Sequence, residues 1–488
     1  MDMREKPNGE FGLVATLSKE KGKQRGKELR AQVPRESHAQ WTPMPNRTEP
    51  IELLCSQGKT RVQALLPLRY ERMAASPFAF FRGAALIMAA DLAKTPVTGL
   101  TVQACGDAHI SNFGLFSSPE RRTVFDINDF DETLRGPWEW DVKRLATSVE
   151  ICARSNGFSK KQRKKAVSEC LRGYREGMAR FAKMGHLDVW YAHLDVDTLR
   201  EKMAPNLSDK NAEKADEILA KAKGKNSARA VRKMTEVVGG QLRIKSNPPL
   251  IMPLRGLLTG ANTVLGYERF EEHKVKNLIL DVLAQYRSTL SSEKQLLLDQ
   301  YRPVDVAHKV VGVGSVGTRA WIVVMQGADQ NDSLVLQVKE AQESVLERFV
   351  GASSFYQHGQ RVVAGQRAMQ TASDMMLGWC ELINEEGKVT HYYVRQLWDG
   401  KGSPDLELLN PKQLALLAKA CGWTLAHAHA RTGDRFAIAS YLGKSDDFDN
   451  AVAKFAIAYA RQNELDYQRF MAHRTADGTF VFGETKGE

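Results

Sequence analysis

A stretch rich in acidic and amide side chains, residues 103–145, is the feature that most limits what this chain can fold into. Apolar segments at residues 101–105 and 123–127 carry β-branched and aromatic residues, which predicts two short strands beside these polar groups. Carboxylates gathered between strands are costly to hold together unless a cation or a substrate neutralises them. We therefore expect a functional site formed by Asp107, His109, Asn112, Asp126, Asp129, Asp131 and Asp141.

Asp107 and Asn112 stand five residues apart, in the pattern D-x-x-x-x-N. At phosphoryl-transfer sites this spacing lets one loop supply both the base that faces the acceptor hydroxyl and an amide ligand for Mg²⁺. Asp126 ends a predicted strand, and its carboxylate is a candidate metal ligand because Mg²⁺ prefers hard oxygen ligands. Asp129 and Asp131 are candidates for a second metal or for supporting contacts.

Two residues of this stretch are expected to hold the loop in shape. His109 could bind a metal, but in such a loop a histidine more often packs and hydrogen-bonds with its neighbours. Asp141 begins a predicted helix, where it is either an ordinary N-cap or an N-cap that also hydrogen-bonds the backbone of the catalytic loop. Both alternatives place Asp141 in the interior.

A second group of candidates lies about two hundred residues further along the chain. Gly312, Gly314 and Gly317 form a G-x-G-x-x-G pattern between two strand-like segments. A dinucleotide-binding fingerprint would open a helix. Because a strand-like segment follows here, a β-hairpin fits better, and its backbone N–H groups could cover phosphates.

Lys339 lies in an apolar strand-like segment after this hairpin. A buried lysine is costly unless it is paired, and phosphates together with a carboxylate would remove that cost. The alternative is an edge-strand lysine that faces water. The candidate carboxylates are Glu340, Glu343 and Glu347.

The rest of the chain predicts an α+β protein. Residues 1–45 are interpreted as a flexible basic tail, because KEKGKQRGKELR lies in a segment poor in apolar residues. Helical patterns cover most of residues 46–300, a β-rich section follows over 301–400, and helices return over 401–488. Six scattered cysteines without a CxxC pair argue against zinc ribbons and a disulfide framework.

Charge and hydropathy indicate the setting in which the chain works. Its net charge of +11 favours an anionic partner such as a nucleotide, a nucleic acid or a membrane surface, and does not choose among them. Apart from the charge, we expect the partner to be a nucleotide rather than nucleic acid. No apolar run approaches the ~18 residues that span a bilayer, and the first residues lack the apolar core of a signal peptide. The expectation is a cytoplasmic protein without a membrane span, whose oligomeric state the sequence leaves open.

Several motifs together resemble a known fold and a known family. GDAHISN followed by VFDIND resembles the catalytic and metal-binding loops of the aminoglycoside-phosphotransferase branch of the protein-kinase-like fold, and GVGSVG with LQVKEA resembles that fold's glycine-rich loop and strand lysine. With RYERMAASPFAFFRGAA and FDETLRGPWEWDVKRLA, the set resembles a bacterial family labelled domain of unknown function 2252, from about residue 40 to 475.

The resemblance implies a two-lobed protein-kinase-like fold and a role for each matching residue. It implies Asp107 as the base and Asn112 and Asp126 as metal ligands, and Asp129 stays a further candidate metal ligand from the sequence itself. It implies a phosphate cover formed by Gly312, Gly314 and Gly317, and Lys339 as the lysine that pairs with phosphates. The YYVRQL strand, with Arg395, Gln396 and Leu397, would meet adenine through its backbone. Ser315, inside the glycine pattern, is a further candidate for nucleotide binding.

The order of the motifs differs from that of ordinary kinases, in which the glycine loop and the lysine precede the catalytic loop. Circular permutation would explain the reversed order. Residues 46–300 and 401–488 would then form the mostly helical lobe, and residues 301–400 a smaller antiparallel β lobe that binds the nucleotide. Lys339 and Asp126 would line one cleft. Residue types also depart from the pattern of the fold at Cys105, Thr318 and Arg319.

The expected activity is a kinase-like phosphotransferase that uses ATP and Mg²⁺ on a small-molecule or protein hydroxyl. Nucleotidyl transfer, in which AMP rather than phosphate is transferred from the same site, is an alternative hypothesis. A nucleotide-binding pseudoenzyme or scaffold is another alternative, as is a metal-dependent phosphoester hydrolase built from Asp107, His109, Asp126 and Asp131. The acceptor cannot be read from the sequence. An anionic group could face Arg69, Arg72 and Arg82, but arginines in a helical segment are more often ion-paired surface or interlobe contacts.

Overall fold

The computed structural model describes residues 18–196, 227–255, 272–310, 312–329, 331–383, 387–397 and 402–482. Its helices are α1 Lys19–Gln32, α2 Pro50–Gly58, α3 Leu66–Ala74, α4 Pro77–Gly83, α5 Ala85–Leu92, α6 Trp138–Ser155, α7 Lys160–Phe181, α8 His186–Tyr191, α9 Ser227–Met234, α10 Glu272–Ser288, α11 Ser292–Leu298, α12 Glu347–Val350, α13 His358–Met369, α14 Pro411–Thr432, α15 Arg435–Leu442 and α16 Asp447–Met471.

Its strands are β1 Thr101–Ala104, β2 Phe113–Ser117, β3 Thr123–Ile127, β4 Leu134–Pro137, β5 Leu194–Asp195, β6 Thr235–Val238, β7 Gln241–Ile244, β8 Ile251–Pro253, β9 Arg302–Lys309, β10 Ala320–Gln326, β11 Ser333–Glu340, β12 Gly378–Ile383 and β13 Val389–Gln396. The architecture is α+β, because a set of packed helices is combined with a separate antiparallel sheet. Within the described residues, no helix is both long and apolar enough to cross a membrane.

The largest sheet has the strand order β12-β13-β11-β10-β9-β8, and all of its neighbouring strands are antiparallel. Its side chains alternate between two apolar clusters: Val323 and Met325 pack in one, whereas Ile322 and Val324 pack in the other. The same period of two places Gln337 and Lys339 of β11 on one face. The sheet also includes β8, so it begins before the section over 301–400 that was predicted to be β-rich.

Helix α6 lies at the centre of the helical part, and each residue from 138 to 153 is buried. Its neighbours α7 and α14 cross closely where two glycines remove the side chain. A Cβ atom added to Gly173 would lie 2.3 Å from Lys419 O, and one added to Gly422 would lie 2.0 Å from Cys170 O. Only glycine allows this close approach of two backbones.

The segment predicted as a flexible tail is folded from residue 18 onward, which corrects that prediction; residues 1–17 lie outside the described residues. Helix α1 packs on α15 through Gly22 and Gly26, where added Cβ atoms would lie 2.7 Å from Phe436 Cβ and 2.3 Å from Ala437 O. Because glycine contributes no apolar side chain, a hydropathy pattern could not reveal this contact. Arg30 Nε also donates to Tyr441 O at 3.1 Å.

The strands predicted at residues 101–105 and 123–127 are β1 and β3. β1 pairs with β4, and β3 pairs with β2, so the two acidic loops leave the ends of neighbouring strand pairs. Chain segments far apart in sequence meet here, because Leu115 N in β2 donates to Gly402 O at 2.6 Å. This contact joins β2 to a residue that follows the large sheet in the sequence.

Candidate functional site

A cavity of about 140 Å³ lies between the large sheet and the two acidic loops. It brings together residues that are about two hundred positions apart in the sequence. Of the predicted site residues, those that line it are Asp107, His109, Asn112, Asp129, Asp131, Gly312, Gly314, Ser315, Lys339 and Arg395. Those that do not line it are Asp126, Asp141, Gly317, Gln396 and Leu397.

Lys339 connects the sheet to the acidic loops. Its side chain is 3% exposed, and its ammonium group forms an ion pair with Asp131 and lies 3.8 Å from Asp129 Oδ2. Burial alone would lower the pKa of Lys339, but the charges of Asp129 and Asp131 outweigh burial and raise it. The lysine is therefore charged and paired, and the alternative of an edge lysine facing water is wrong.

The predicted pairing of Lys339 with a nearby glutamate is also wrong. Glu340 accepts a hydrogen bond from Arg319 N at 2.8 Å, and Glu343 is exposed. Glu347 instead accepts from the backbone N–H groups of Ser344 and Ser353, both at 2.9 Å. These contacts hold the glutamates away from the lysine.

Helix α13, which follows these glutamates, offers the acidic loop an arginine. Arg361 is fully buried, and its Nη2 donates to Asp131 O and to Gln342 O, both at 2.8 Å. Its Nη1 donates to Thr133 O. The arginine thus holds the backbone of the loop that carries the carboxylate partner of Lys339.

Asp131 and Asp129 differ in how well their charges are compensated. Asp131 accepts hydrogen bonds from Tyr393 Oη at 2.8 Å and Ser315 Oγ at 3.1 Å. Burial raises the pKa of Asp131, but Lys339 and Tyr393 outweigh burial and lower it, which keeps the carboxylate ionised. Burial and the neighbouring charge of Asp131 raise the pKa of Asp129. The charge of Asp129 is therefore less well compensated than that of Asp131, and a cation would stabilise it.

The loop from Asp107 to Asn112 ends in a short 3-10 turn, Ile110–Asn112. Asn112 Nδ2 donates to Asp107 O at 2.6 Å, which orients the amide and leaves its Oδ1 as an oxygen donor. Arg144 of α6 donates from Nε to Asp107 Oδ1 at 2.6 Å. Burial raises the pKa of Asp107, and Arg144 opposes this shift. Sequence reasoning missed Arg144, whose signal was a charged residue inside an apolar helical pattern.

His109 does not make the hydrogen bonds expected of a loop-supporting residue. Its Nδ1 is buried without a hydrogen-bond partner among the described residues, and its Nε2 lies 3.7 Å from Asp107 Oδ2. Burial, with the nearby charges of Arg82 and Arg144, lowers the pKa of His109 well below its ordinary value. The imidazole is consequently neutral, and it lines the cavity beside Asp107.

The side chain of Asp141 holds the backbone of the loop that follows β1. Its carboxylate accepts from Cys105 N at 2.6 Å and Gly106 N at 2.9 Å, and lies 3.1 Å from His429 Nε2. The helix begins at Trp138, so Asp141 is not an N-cap, and that part of the prediction is corrected. Gly106 has φ +79°, and an added Cβ would lie 2.3 Å from Glu132 O. The turn therefore requires glycine.

Asp126 is not placed to bind a metal in this cavity, which corrects its predicted role. It lies within β3, opposite Gly114, and its Oδ1 accepts from Ile127 N at 2.8 Å. Burial raises its pKa to about 7. Strand β3 continues past Asp126 to Ile127 and buries Asp126, whereas Asp129 lies in the loop after the strand and lines the cavity. The hydrolase alternative loses Asp126, one of its four predicted groups, from the cavity.

The glycine pattern forms the turn between the paired strands β9 and β10, with a 3-10 turn over Val313–Ser315. Gly317 has φ +90°, and an added Cβ would lie 3.0 Å from Arg61 Cβ. Among the described residues, an added Cβ at Gly312 would meet nothing within 4 Å, and one at Gly314 only Arg82 O at 3.5 Å. The folding of the turn thus requires glycine at 317 alone.

The three residues predicted to meet adenine are placed differently. Arg395 lines the cavity and donates to Gln337 Oε1 at 3.1 Å and to Asn128 O at 3.2 Å. Gln396 N donates to Asp374 Oδ2 at 2.7 Å, and Leu397 N to Val335 O at 2.8 Å. These two N–H groups are used inside the chain, which corrects their predicted role.

Comparisons with known proteins identify the family but not the activity. No curated protein and no solved structure matches the chain. A family model matches residues 61–473, which is most of the chain, and its description is an uncharacterized protein conserved in bacteria (DUF2252). The chain therefore belongs to this bacterial family.

Proposed function

We propose that the protein is a kinase-like phosphotransferase that uses ATP and Mg²⁺ to phosphorylate a hydroxyl group. The observation that carries this proposal is the ion pair between Lys339 and Asp131. Through it, the strand lysine and the glycine turn share one cavity with the loop of Asp107 and Asn112. Phosphoryl transfer needs these groups together, because catalysis rests on positioning and on charge neutralisation.

The donor set fits one Mg²⁺ ion bound together with phosphates. Asn112 Oδ1 and the Asp129 carboxylate are the ligands that the chain would supply, because the amide is held by Asp107 O and Asp129 lacks full charge compensation. Mg²⁺ commonly takes one or two carboxylates and completes its shell with substrate phosphates and water. When bound, the ion would neutralise charge on the phosphate oxygens. The described residues contain no group of three or more His, Cys, Asp or Glu arranged to hold a metal.

The glycine turn supports phosphate binding by backbone groups. Gly312 and Gly314 line the cavity, yet no described neighbour requires glycine at either position. Close approach of a ligand to the backbone gives glycine a function there. The cavity of about 140 Å³ is smaller than the ~300–1,000 Å³ typical of ligand pockets, so it matches phosphate groups better than a whole nucleotide.

Asp107 is the proposed base. Arg144 occupies its Oδ1, and Oδ2 remains to accept the proton of the acceptor hydroxyl. The hydroxyl oxygen would form a bond to the γ-phosphorus while the bond between that phosphorus and the bridging oxygen of ADP breaks. The raised pKa of Asp107 makes its carboxylate a stronger base than an exposed aspartate.

A circularly permuted two-lobed kinase-like fold is part of this proposal. The order of the elements supports it: the glycine turn between β9 and β10 is followed by β11, which carries Lys339, then by helix α13 and by strands β12 and β13. The catalytic loop precedes them, and helices from both sides of the sheet region pack together as α7 and α14. Unlike the usual arrangement, α13 presents Arg361, so the carboxylate for Lys339 comes from the acidic loop.

The test is ATP-dependent thermal stabilisation and ADP release, each with Mg²⁺, for the wild type and four variants. Asp129→Asn and Lys339→Ala are expected to weaken stabilisation by ATP. Asp107→Ala is expected to retain binding while its turnover falls by about 10²–10⁴-fold, the usual contribution of a general base.

Asp126→Asn is the matched control, because it neutralises a carboxylate of the same segment outside the cavity. It should leave ATP stabilisation unchanged. The absence of stabilisation by ATP at any Mg²⁺ concentration would reject the proposal. Phosphate release from phosphoesters without nucleotide would favour the hydrolase.

A further inference from the structure

Arg82 lies at the end of α4, and its side chain lines the cavity. Its Nε is buried and has no hydrogen-bond partner among the described residues. Burial lowers the pKa of Arg82, and the charges of Asp107 and Asp129 oppose this shift. A buried guanidinium nitrogen without a partner is costly to the fold. The cavity therefore holds a cation with hydrogen-bonding capacity that the fold does not use.

The position of Arg82 is set by contacts of its two sequence neighbours, Phe81 and Gly83. Arg144 Nη2 donates to Phe81 O at 3.2 Å, and Arg69 Nη2 donates to Gly83 O at 3.1 Å. The Arg144 guanidinium also lies over the Phe81 ring, 4.5 Å from its centroid. Buried arginines thus hold the backbone of the α4 end, so Arg82 is presented to the cavity by a rigid element.

Arg82 lines the same cavity as the two carboxylates that the proposed reaction uses, the base Asp107 and the metal ligand Asp129. Its backbone also meets the phosphate cover, because Arg82 O is the only described atom within 4 Å of an ideal Cβ on Gly314. A simple neutralising role is less well supported, because Asp107 already has Arg144 as its ion-pair partner. A phosphoryl group between base and metal would lie within reach of Arg82.

We propose that Arg82 binds the phosphoryl group that is transferred, and that α4 is therefore part of the active site. The proposal rests on the proposed function and adds a residue that lies outside the glycine, lysine and catalytic-loop motifs. Arginine suits this role because its planar fork can donate two hydrogen bonds to phosphate oxygens. Its contribution should grow in the transition state, when charge spreads over those oxygens.

The test compares Arg82→Gln and Arg82→Lys with the wild-type chain. We measure Kd for inorganic tripolyphosphate with Mg²⁺, and kcat for ADP release from ATP. Arg82→Gln is expected to lower kcat by about 10²–10³-fold, as does loss of one transition-state hydrogen-bond donor. Added guanidinium should restore part of that rate, which a merely structural role would not allow. Arg82→Lys, which keeps the charge, covers the case in which the glutamine variant does not fold, and it should remain impaired.

Each outcome decides one question. If the wild type turns over ATP and both variants stay within threefold of it, the Arg82 inference is overturned and the proposed function stands. If the wild type binds tripolyphosphate and Arg82→Gln weakens that binding at least tenfold, Arg82 is a phosphate ligand even where ATP is not turned over. A wild type that binds neither tripolyphosphate nor ATP overturns both proposals.

Discussion

The cavity has two walls that are held in different ways: the acidic wall, formed by the loops of residues 107–112 and 129–132, and the glycine turn of residues 312–317. On the acidic wall, buried side chains bind the loop backbones: Asp141 accepts from Cys105 N and Gly106 N, and Arg361 donates to Asp131 O. The glycine turn is held mainly at its far end, where Arg61 Nη1 donates to Val316 O at 2.6 Å and Val62 N donates to Gly317 O at 2.8 Å. Among the described residues of the turn, Ser315 is the one that hydrogen-bonds to the acidic wall.

This difference shows how one site can combine fixed and adaptable parts. Carboxylates that bind a metal or accept a proton must be positioned before the reaction, because their effect depends on preorganised geometry. A cover over phosphates can adjust to its ligand if its backbone is free of tight neighbours, as at Gly312 and Gly314. The fold therefore rigidifies the wall with the proposed chemistry and leaves the end of the turn that lines the cavity less constrained.

The largest effect is expected from breaking the support of the acidic wall. Asp141→Ala leaves the N–H groups of Cys105 and Gly106 buried without an acceptor. Each unsatisfied group costs ~1–3 kcal/mol, so the free energy of unfolding should fall by about 3 kcal/mol, and ADP release should be lost with the loop geometry. Urea unfolding and the ADP assay measure the two effects. Asp141→Asn retains one acceptor and should lose less; a loss below ~1 kcal/mol in the alanine variant would contradict the role of Asp141.

The residues that act together within one motif could be predicted from the sequence, because each motif is a short local stretch of the chain. Asp107 with Asn112, and Gly312 with Gly314, were found from spacing alone, and the structure places both pairs at one cavity. The partner of Lys339 could not be predicted, because it comes from a loop about two hundred residues away. A pattern shows that a buried lysine needs a carboxylate, but it does not show which distant carboxylate reaches it.

Other features escaped sequence reasoning for physical reasons. Asp126 was preferred to Asp129 because it ends an apolar strand pattern, but strand pairing extends to Ile127 and buries Asp126. Helix α1 was missed because its contact with α15 is made through glycines rather than apolar side chains. Arg144 was missed because its partner Asp107 lies 37 residues earlier in the chain, and a helical pattern does not show such a contact.

The pH dependence of stability tests whether Asp126 is a buried structural group behind the acidic wall. Its pKa is raised from 3.8 to about 7 in the folded chain. Between these values the unfolded chain binds fewer protons than the folded chain, so the free energy of unfolding falls as pH rises from about 4 to 7. One such group contributes a slope of up to ~1.4 kcal/mol per pH unit.

Asp126→Asn removes this titration and should flatten the curve measured by urea unfolding at pH 5, 6, 7 and 8. The buried carboxyl of Glu132, whose pKa is also raised to about 7, remains in both proteins and cancels in the difference. Relative to the wild type, the variant should gain stability as pH rises. Parallel curves for the two proteins would show that Asp126 does not titrate in this range.

The smallest effect is expected at the hydrogen bond that joins the glycine turn to the acidic wall. Ser315 Oγ donates to Asp131 Oδ2 at 3.1 Å, and Ser315→Ala removes this hydrogen bond. The loss should be about 1 kcal/mol, which corresponds to an approximately fivefold weaker Kd for ATP with Mg²⁺ if the link positions the turn over the phosphates. Thr318→Ala is the matched control, because Thr318 Oγ1 donates to Ser315 O at 2.8 Å within the turn and does not contact the acidic wall. Both variants should lose similar stability, but only Ser315→Ala should weaken ATP binding. Equal ATP affinities would show that the glycine turn is positioned from its far end alone.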